Sequence, residues 1–116
     1  MDVGCGFRFV VLHHTGIAEE HYDLLMELKG EEKLPAWRVF CGPEEWEEGE
    51  LGAVRIQDHR AAYMTYEGAI SGGRGEVKRG AEGRGEVVEL GDERLRVRLE
   101  LRGREVELEL PAVANE

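Results

Sequence analysis

The last third of the chain carries a pattern that leaves the fold little freedom. Leu95, Val97, Leu99 and Leu101 alternate with charged residues, and after Arg102-Gly103 the residues Val106, Leu108 and Leu110 do the same. Side chains i and i+2 share one face of a strand, so each run reads as a strand with one buried face. With Arg102-Gly103 as the turn, Arg98 lies opposite Glu107 and Arg96 opposite Glu109. Opposite charges so placed add about 0.2–1 kcal/mol per pair. The cost of this register is Glu100 opposite Glu105, and a turn shifted by one residue is the alternative.

The same period recurs upstream. Residues 7–12 (FRFVVL) read as a mostly buried strand. In residues 21–28 (HYDLLMEL), Tyr22, Leu24, Met26 and Leu28 fall on one face, and His21, Asp23, Leu25 and Glu27 on the other. A helix is the second reading there, since Leu, Met and Glu favour helices, but the segment lacks a 3.6-residue stripe. Residues 36–41, 51–57, 62–66 and 85–90 give further short strands. The run from Pro43 to Glu50, with five glutamates in eight residues, reads as an exposed turn or one helical turn. Six glycines from Gly72 to Gly85 predict a hairpin or mobile loop around Glu76-Val77-Lys78-Arg79. The expectation is an all-β, mainly antiparallel fold with little helix: a small β-barrel of about seven to nine short strands. The 116 residues suffice for one core, so a single domain is expected over residues 1–116.

Charge narrows the function classes. A net charge of −10 argues against a protein that coats nucleic acid, because such binding is driven by counterion release through lysine and arginine. The charge is uneven, however. Residues 1–59 hold 5 basic and 13 acidic groups, whereas residues 60–104 hold 10 basic and 8 acidic groups. An enzyme that grips only a strand end needs a local basic pocket, not a basic surface. No run of 18 apolar residues predicts a membrane span, and the start, MDVGCGFRF, lacks a basic region followed by an apolar one, so no secretory signal is expected. Cys5 and Cys41 have no metal-site spacing and form no disulfide framework, and they read as small buried hydrophobes in a cytoplasmic protein.

Four histidines are present, His13, His14, His21 and His59. On a strand, His21 and Asp23 share a face, with backbones roughly 6–7 Å apart. His14, seven residues earlier, can return to supply a third ligand. Two imidazoles and one carboxylate leave coordination positions for water and a phosphate oxygen, and suit Mn, Fe or Zn. The plain alternative is a set of surface histidines. Asp58-His59 with Tyr63 is a second candidate: a histidine near a phosphate can donate a hydrogen bond or proton, and a tyrosine can add a hydroxyl. Gly72-Gly73-Arg74-Gly75 is a third, in which backbone approaches an anion closely and Arg74 forks onto phosphate oxygens, or else a simple turn. Trp37 and Trp46 can stack on bases, although Trp37 lies in a strand pattern that points to the core.

The order of these pieces carries a resemblance. The chain reads Phe9-Val10-Val11, His14, His21-Tyr22-Asp23-Leu24, Glu27-Leu28, Trp37, Asp58-His59 with Tyr63, then Tyr66-Glu67-Gly68-Ala69-Ile70. This resembles the 3′-phosphoesterase domain of bacterial DNA ligase D and its stand-alone relatives over about residues 7–79. The resemblance implies a compact β-barrel with a curved active-site face. It also implies a hydrolase of DNA repair, a manganese-preferring enzyme that trims 3′-terminal ribonucleotides and 3′-phosphates to leave a 3′-hydroxyl for sealing. Its partners would be nucleic-acid 3′ ends, DNA or DNA with a 3′ ribonucleotide, and a DNA ligase or polymerase in trans. By the same resemblance, His14, His21 and Asp23 would be the metal ligands, with zinc or another transition metal as the alternative to manganese. His59 and Tyr63 would contact the phosphate; Arg74, from the glycine-rich segment and not from the resemblance, is the further residue expected to position it.

Two departures stand out. The family usually has arginine two residues after the ligand aspartate, and here Leu25 stands there. Arg55, Arg60 or Arg74 would have to supply that charge. The gap from His14 to His21 is one residue longer than usual, which leaves His13 as the alternative ligand. A family member weakened in catalysis, binding nucleic-acid ends or a repair partner, is the rival reading; a β-domain for protein contacts is the third.

Overall fold

The computed structural model describes residues 2–47 and 49–113. Glu48 of the acidic run, and Met1 and residues 114–116 of the expected domain span, lie outside the described residues. Nine strands are present among the described residues: β1 (Gly6–Thr15), β2 (His21–Glu27), β3 (Lys33–Val39), β4 (Gly49–Glu50), β5 (Val54–Arg60), β6 (Gly68–Ala69), β7 (Glu76–Leu90), β8 (Arg94–Leu101) and β9 (Arg104–Pro111). They form one sheet in the order β4-β9-β8-β7-β1-β2-β3-β5, with β6 beside β7. Every pairing is antiparallel except β4 with β9. The only helical segments among the described residues are 3₁₀ turns at Pro43–Glu45 and Ala61–Met64. None is long and apolar enough to cross a membrane.

The all-β expectation holds, but the barrel does not close. The sheet path ends at β4 and β5, which do not pair. β4 covers β9 for two residues only, and β9 ends in Pro111, which has no N–H to offer a ladder. Side chains bridge the seam instead. Trp37 Nε1 donates to the Pro111 carbonyl at 2.7 Å, and Arg55 Nη1 to the Ala112 carbonyl at 3.1 Å.

The tail hairpin has the expected register, with Arg98 opposite Glu107, Arg96 opposite Glu109 and Glu100 opposite Glu105. Arg98 also binds Glu86 at 2.6 Å and Glu105 at 2.9 Å. Changing Glu100 to lysine should remove the like-charge pair and raise stability by about 0.3 kcal/mol, read as a higher urea midpoint with unchanged slope.

Two segments differ from expectation. Residues 62–66 are not a strand. Tyr63 and Met64, adjacent in sequence, both pack against the same apolar cluster, which alternation forbids and a tight turn permits. The glycine-rich segment is no loop beyond Gly75 but the 15-residue strand β7. A Cβ on Gly83 would lie 2.4 Å from the Glu100 carbonyl, and one on Gly85 2.7 Å from that of Arg98. Gly83 and Gly85 are there because β8 and the rings of Phe9 and Phe7 crowd them, a common use of glycine where a sheet coils tightly.

β1, β2 and β3 are covered on both faces. Phe9, Val11, Leu24, Met26, Trp37 and Trp46 belong to the main core, with the β8 and β9 side chains. Val10, Leu12, Leu25, Leu34, Ala36 and Val77 form a second cluster on the opposite face, roofed by Ile56, Tyr63, Met64 and Ile70. Each fully buried Leu or Val in such clusters contributes about 1.5–3 kcal/mol. Trp46 is fully buried and donates Nε1 to the Cys41 carbonyl at 3.0 Å, and Trp37 is equally buried. Neither indole can stack on a base. Cys5 and Cys41 are free thiols packed against the main core.

Candidate metal centre and phosphate pocket

The register of three strands builds the site. On the face that carries the second cluster, His14 lies opposite His21, Leu12 opposite Asp23, and Asp23 opposite Arg38. Ligand atoms of His14, His21 and Asp23 all lie within 4.8 Å of one another. His13 points to the other face of β1, where it stacks on Tyr22 with ring centroids 4.3 Å apart and pairs with Glu20 at 2.5 Å. Of the two adjacent histidines, only His14 faces Asp23.

Backbone carbonyls fix the tautomers. A carbonyl only accepts, so the imidazole nitrogen facing it carries the proton. His14 Nε2 donates to the Arg74 carbonyl at 2.7 Å, and His21 Nδ1 to that of Glu19 at 3.0 Å. In neutral rings this turns the lone pairs of His14 Nδ1 and His21 Nε2 toward each other, 3.2 Å apart. Asp23 Oδ2 lies 3.6 Å from His21 Nε2. Asp23 Oδ1 is buried with no hydrogen-bond partner among the described residues; its nearest cation is Arg38 Nε at 3.5 Å. Burial holds the His21 imidazole below its usual pKa, against the opposing pull of the Glu19 carbonyl and the Asp23 charge.

Two facing lone pairs and an unsatisfied buried carboxylate repel one another unless a cation lies among them. Pair distances of 3.2 and 3.6 Å match donors that share an ion at about 2.0–2.2 Å from each. The N,N,O donor set and the carbonyl-oriented imidazoles fit a divalent transition metal.

A pocket of about 430 Å³ opens over this triad. His14 and Asp23 form part of its wall, with Arg38, Asp58, His59, Arg60, Tyr63 and Arg74 around it. His59 donates Nδ1 to the Gln57 carbonyl at 3.1 Å, which turns Nε2 toward Asp23 Oδ2 at 3.8 Å. Tyr63 meets His59 edge-on with ring centroids 5.5 Å apart. The turn carrying Arg74 is held by its own guanidinium, which donates to the Ser71 carbonyl at 2.8 Å.

The structure thus brings together all six residues singled out from the sequence: His14, His21, Asp23, His59, Tyr63 and Arg74. Leu25 is fully buried in the second cluster. Of the arginines named as substitutes, Arg60 and Arg74 line the pocket. Arg55 is committed elsewhere, stacked 4.8 Å over Trp37 and bound to Asp58 at 2.8 Å. Arg38 was missed. Pairing the 21–28 and 36–41 strands would have placed it beside Asp23, but no turn signal set that register.

The sequence model of one protein family, described as DNA Ligase D 3′-phosphoesterase domain, matches residues 12–112. No curated protein matches the chain.

Proposed function

This chain belongs to the DNA ligase D 3′-phosphoesterase domain family, and from that premise we propose that it is a metal-dependent phosphoesterase of nucleic-acid 3′ ends. It removes 3′-terminal ribonucleotides and 3′-phosphates, leaving a 3′-hydroxyl that a repair ligase or polymerase can use. The observation that carries this reading is the juxtaposition of three convergent donor groups with an arginine-lined pocket.

His14, His21 and Asp23 would hold the ion. A divalent metal, manganese or zinc, supplies Lewis acidity to a phosphate oxygen and lowers the pKa of a water. Arg38, Arg60 and Arg74 hold the phosphate by charge, and Tyr63 orients it through its hydroxyl. His59 has Nδ1 occupied by the Gln57 carbonyl, so Nε2 is the nitrogen that carries the mobile proton to the leaving oxygen. Arg38 takes over the charge that an arginine at the Leu25 position would supply. Arg38→Ala is therefore expected to lower kcat/KM about 10²-fold. Arg38→Lys should recover only part of this, because an ammonium cannot fork onto two oxygens.

A DNA primer ending in one ribonucleotide or in a 3′-phosphate, incubated with protein and Mn²⁺, should lose that group, and EDTA should prevent it. Absence of cleavage at micromolar enzyme, with metal binding established, would remove the enzymatic reading. Retained binding of 3′-phosphorylated ends without turnover would select an end-binding module instead.

A further inference from the structure

Two exposed aromatic rings adjoin residues of the site. His14, His21 and Phe40 form one row across β1, β2 and the end of β3. Tyr22 pairs with Val39, so Phe40 follows opposite His21, and the rings meet edge-on with centroids 6.3 Å apart. Phe40 is 53% exposed. On the other side, His59 meets Tyr63, and Tyr63 meets Tyr66 edge-on at 5.8 Å. Tyr66 is 40% exposed, with its hydroxyl bonded to the Ala69 carbonyl. It lines a second hollow of about 270 Å³ that shares Arg60, Tyr63 and Arg74 with the first.

Large exposed apolar side chains are few here, namely Val3, Phe40, Val54, Tyr66, Leu90 and Val113 among the described residues. The two aromatic members lie beside different parts of the site: Phe40 against the candidate ligand His21, and Tyr66 in the hollow that shares Arg60, Tyr63 and Arg74 with the arginine-lined pocket. Each meets its neighbouring ring at a steep angle, 72° for Phe40 with His21 and 86° for Tyr66 with Tyr63, rather than in a parallel stack, and its exposed surface can receive a planar ligand. A phosphodiester carries a nucleoside on each side. A pocket that holds the phosphate through arginines therefore delivers the flanking bases outward, toward its ends.

We propose that Phe40 and Tyr66 are base-stacking platforms, which receive the nucleobases on the two sides of the bound phosphate in an unpaired 3′ end. This inference rests on the phosphoesterase reading and deepens it: the substrate would be an unpaired or frayed end, recognised without sequence preference, because every base has a stackable face. It also accounts for end recognition by a chain with a net charge of −10. Stacking supplies affinity that the acidic surface withholds.

The test is equilibrium binding by fluorescence anisotropy, using a labelled single-stranded DNA whose last two nucleotides are joined by a phosphorothioate. Matched probes carry an abasic site at the last or the penultimate position. Phe40→Ala and Tyr66→Ala should each weaken binding of the full probe about 10-fold, whereas Phe40→Tyr and Tyr66→Phe should retain it. Removing one base should weaken binding to the parent protein similarly, and that loss should vanish in one of the two alanine variants, as coupling within a contact requires. Losses that add independently, no loss in either alanine variant, or no binding of any probe would overturn the proposal. Turnover of the unmodified oligonucleotide, measured alongside, judges the phosphoesterase reading separately. An inactive protein that still shows the coupled losses sinks that reading and leaves the stacking sites standing.

Discussion

Replacing Asp23 with asparagine is expected to reduce turnover by about 10³-fold, the several kcal/mol that a catalytic ion supplies, without lowering the stability of the metal-free protein. Asp23 is buried with one carboxylate oxygen unsatisfied, and beside it the lone pairs of His14 Nδ1 and His21 Nε2 face each other. Without metal that arrangement is costly, because a buried charge lacking full hydrogen bonding destabilises the fold. The amide removes the charge while keeping the shape. Thermal unfolding separates the two effects. At Mn²⁺ about 100-fold above its Kd the parent should gain about 2.7 kcal/mol, and EDTA should reverse the gain. The Asp23→Asn variant should show no Mn²⁺-dependent rise and a metal-free Tm equal to or above that of the parent. A variant that still gained stability from Mn²⁺ and still cleaved would remove Asp23 from the centre.

Gly75→Ala should impair both metal binding and stability, through a residue placed in neither the candidate ligand set nor the pocket wall. Its φ is +79°, and an added Cβ would lie 2.1 Å from the Thr15 carbonyl. The turn is tied by the Ile70 amide donating to the Gly75 carbonyl at 2.8 Å. A methyl group there must push the turn away from the end of β1, and the Arg74 carbonyl moves with it. His14 then loses the acceptor that fixes its tautomer. We expect metal affinity to fall about 10–100-fold, the usual cost of losing such an orienting partner. The left-handed backbone alone adds about 1–2 kcal/mol of destabilisation. Isothermal titration with Mn²⁺ reads the first and chemical unfolding the second. Loss of stability with unchanged metal affinity would show that the turn supports the fold alone.

Much of the site was legible because strand periodicity is rigid. Once His21, Asp23 and Leu25 share a face, the position of the carboxylate follows from local sequence, and the tail register followed from matching charges in the same way. Long-range pairing was not legible in this manner. Arg38 meets Asp23 only through the β2–β3 register, which no two-residue turn fixes between them. The choice of His14 over His13 depended on where β1 enters the sheet. The glycines of β7 misled because local propensity treats them as breaks, whereas here they make room for Phe7, Phe9 and the β8 carbonyls. Residues 62–66 misled for the opposite reason: their composition suits a strand, but no neighbouring strand offers them a ladder. Barrel closure failed on a seam where side chains and a proline replace backbone pairing.

The double covering of β1, β2 and β3 has a dynamic consequence. Amide protons there should exchange with solvent only upon global opening, since apolar layers press on both sides. The 3₁₀ turn that holds Tyr63 has no buried residue and should exchange by cheaper local fluctuations. The half proposed to hold the metal would then be a stiff anvil and the half proposed to contact the phosphate a yielding jaw, able to admit a strand end without disturbing the candidate ligands beneath it.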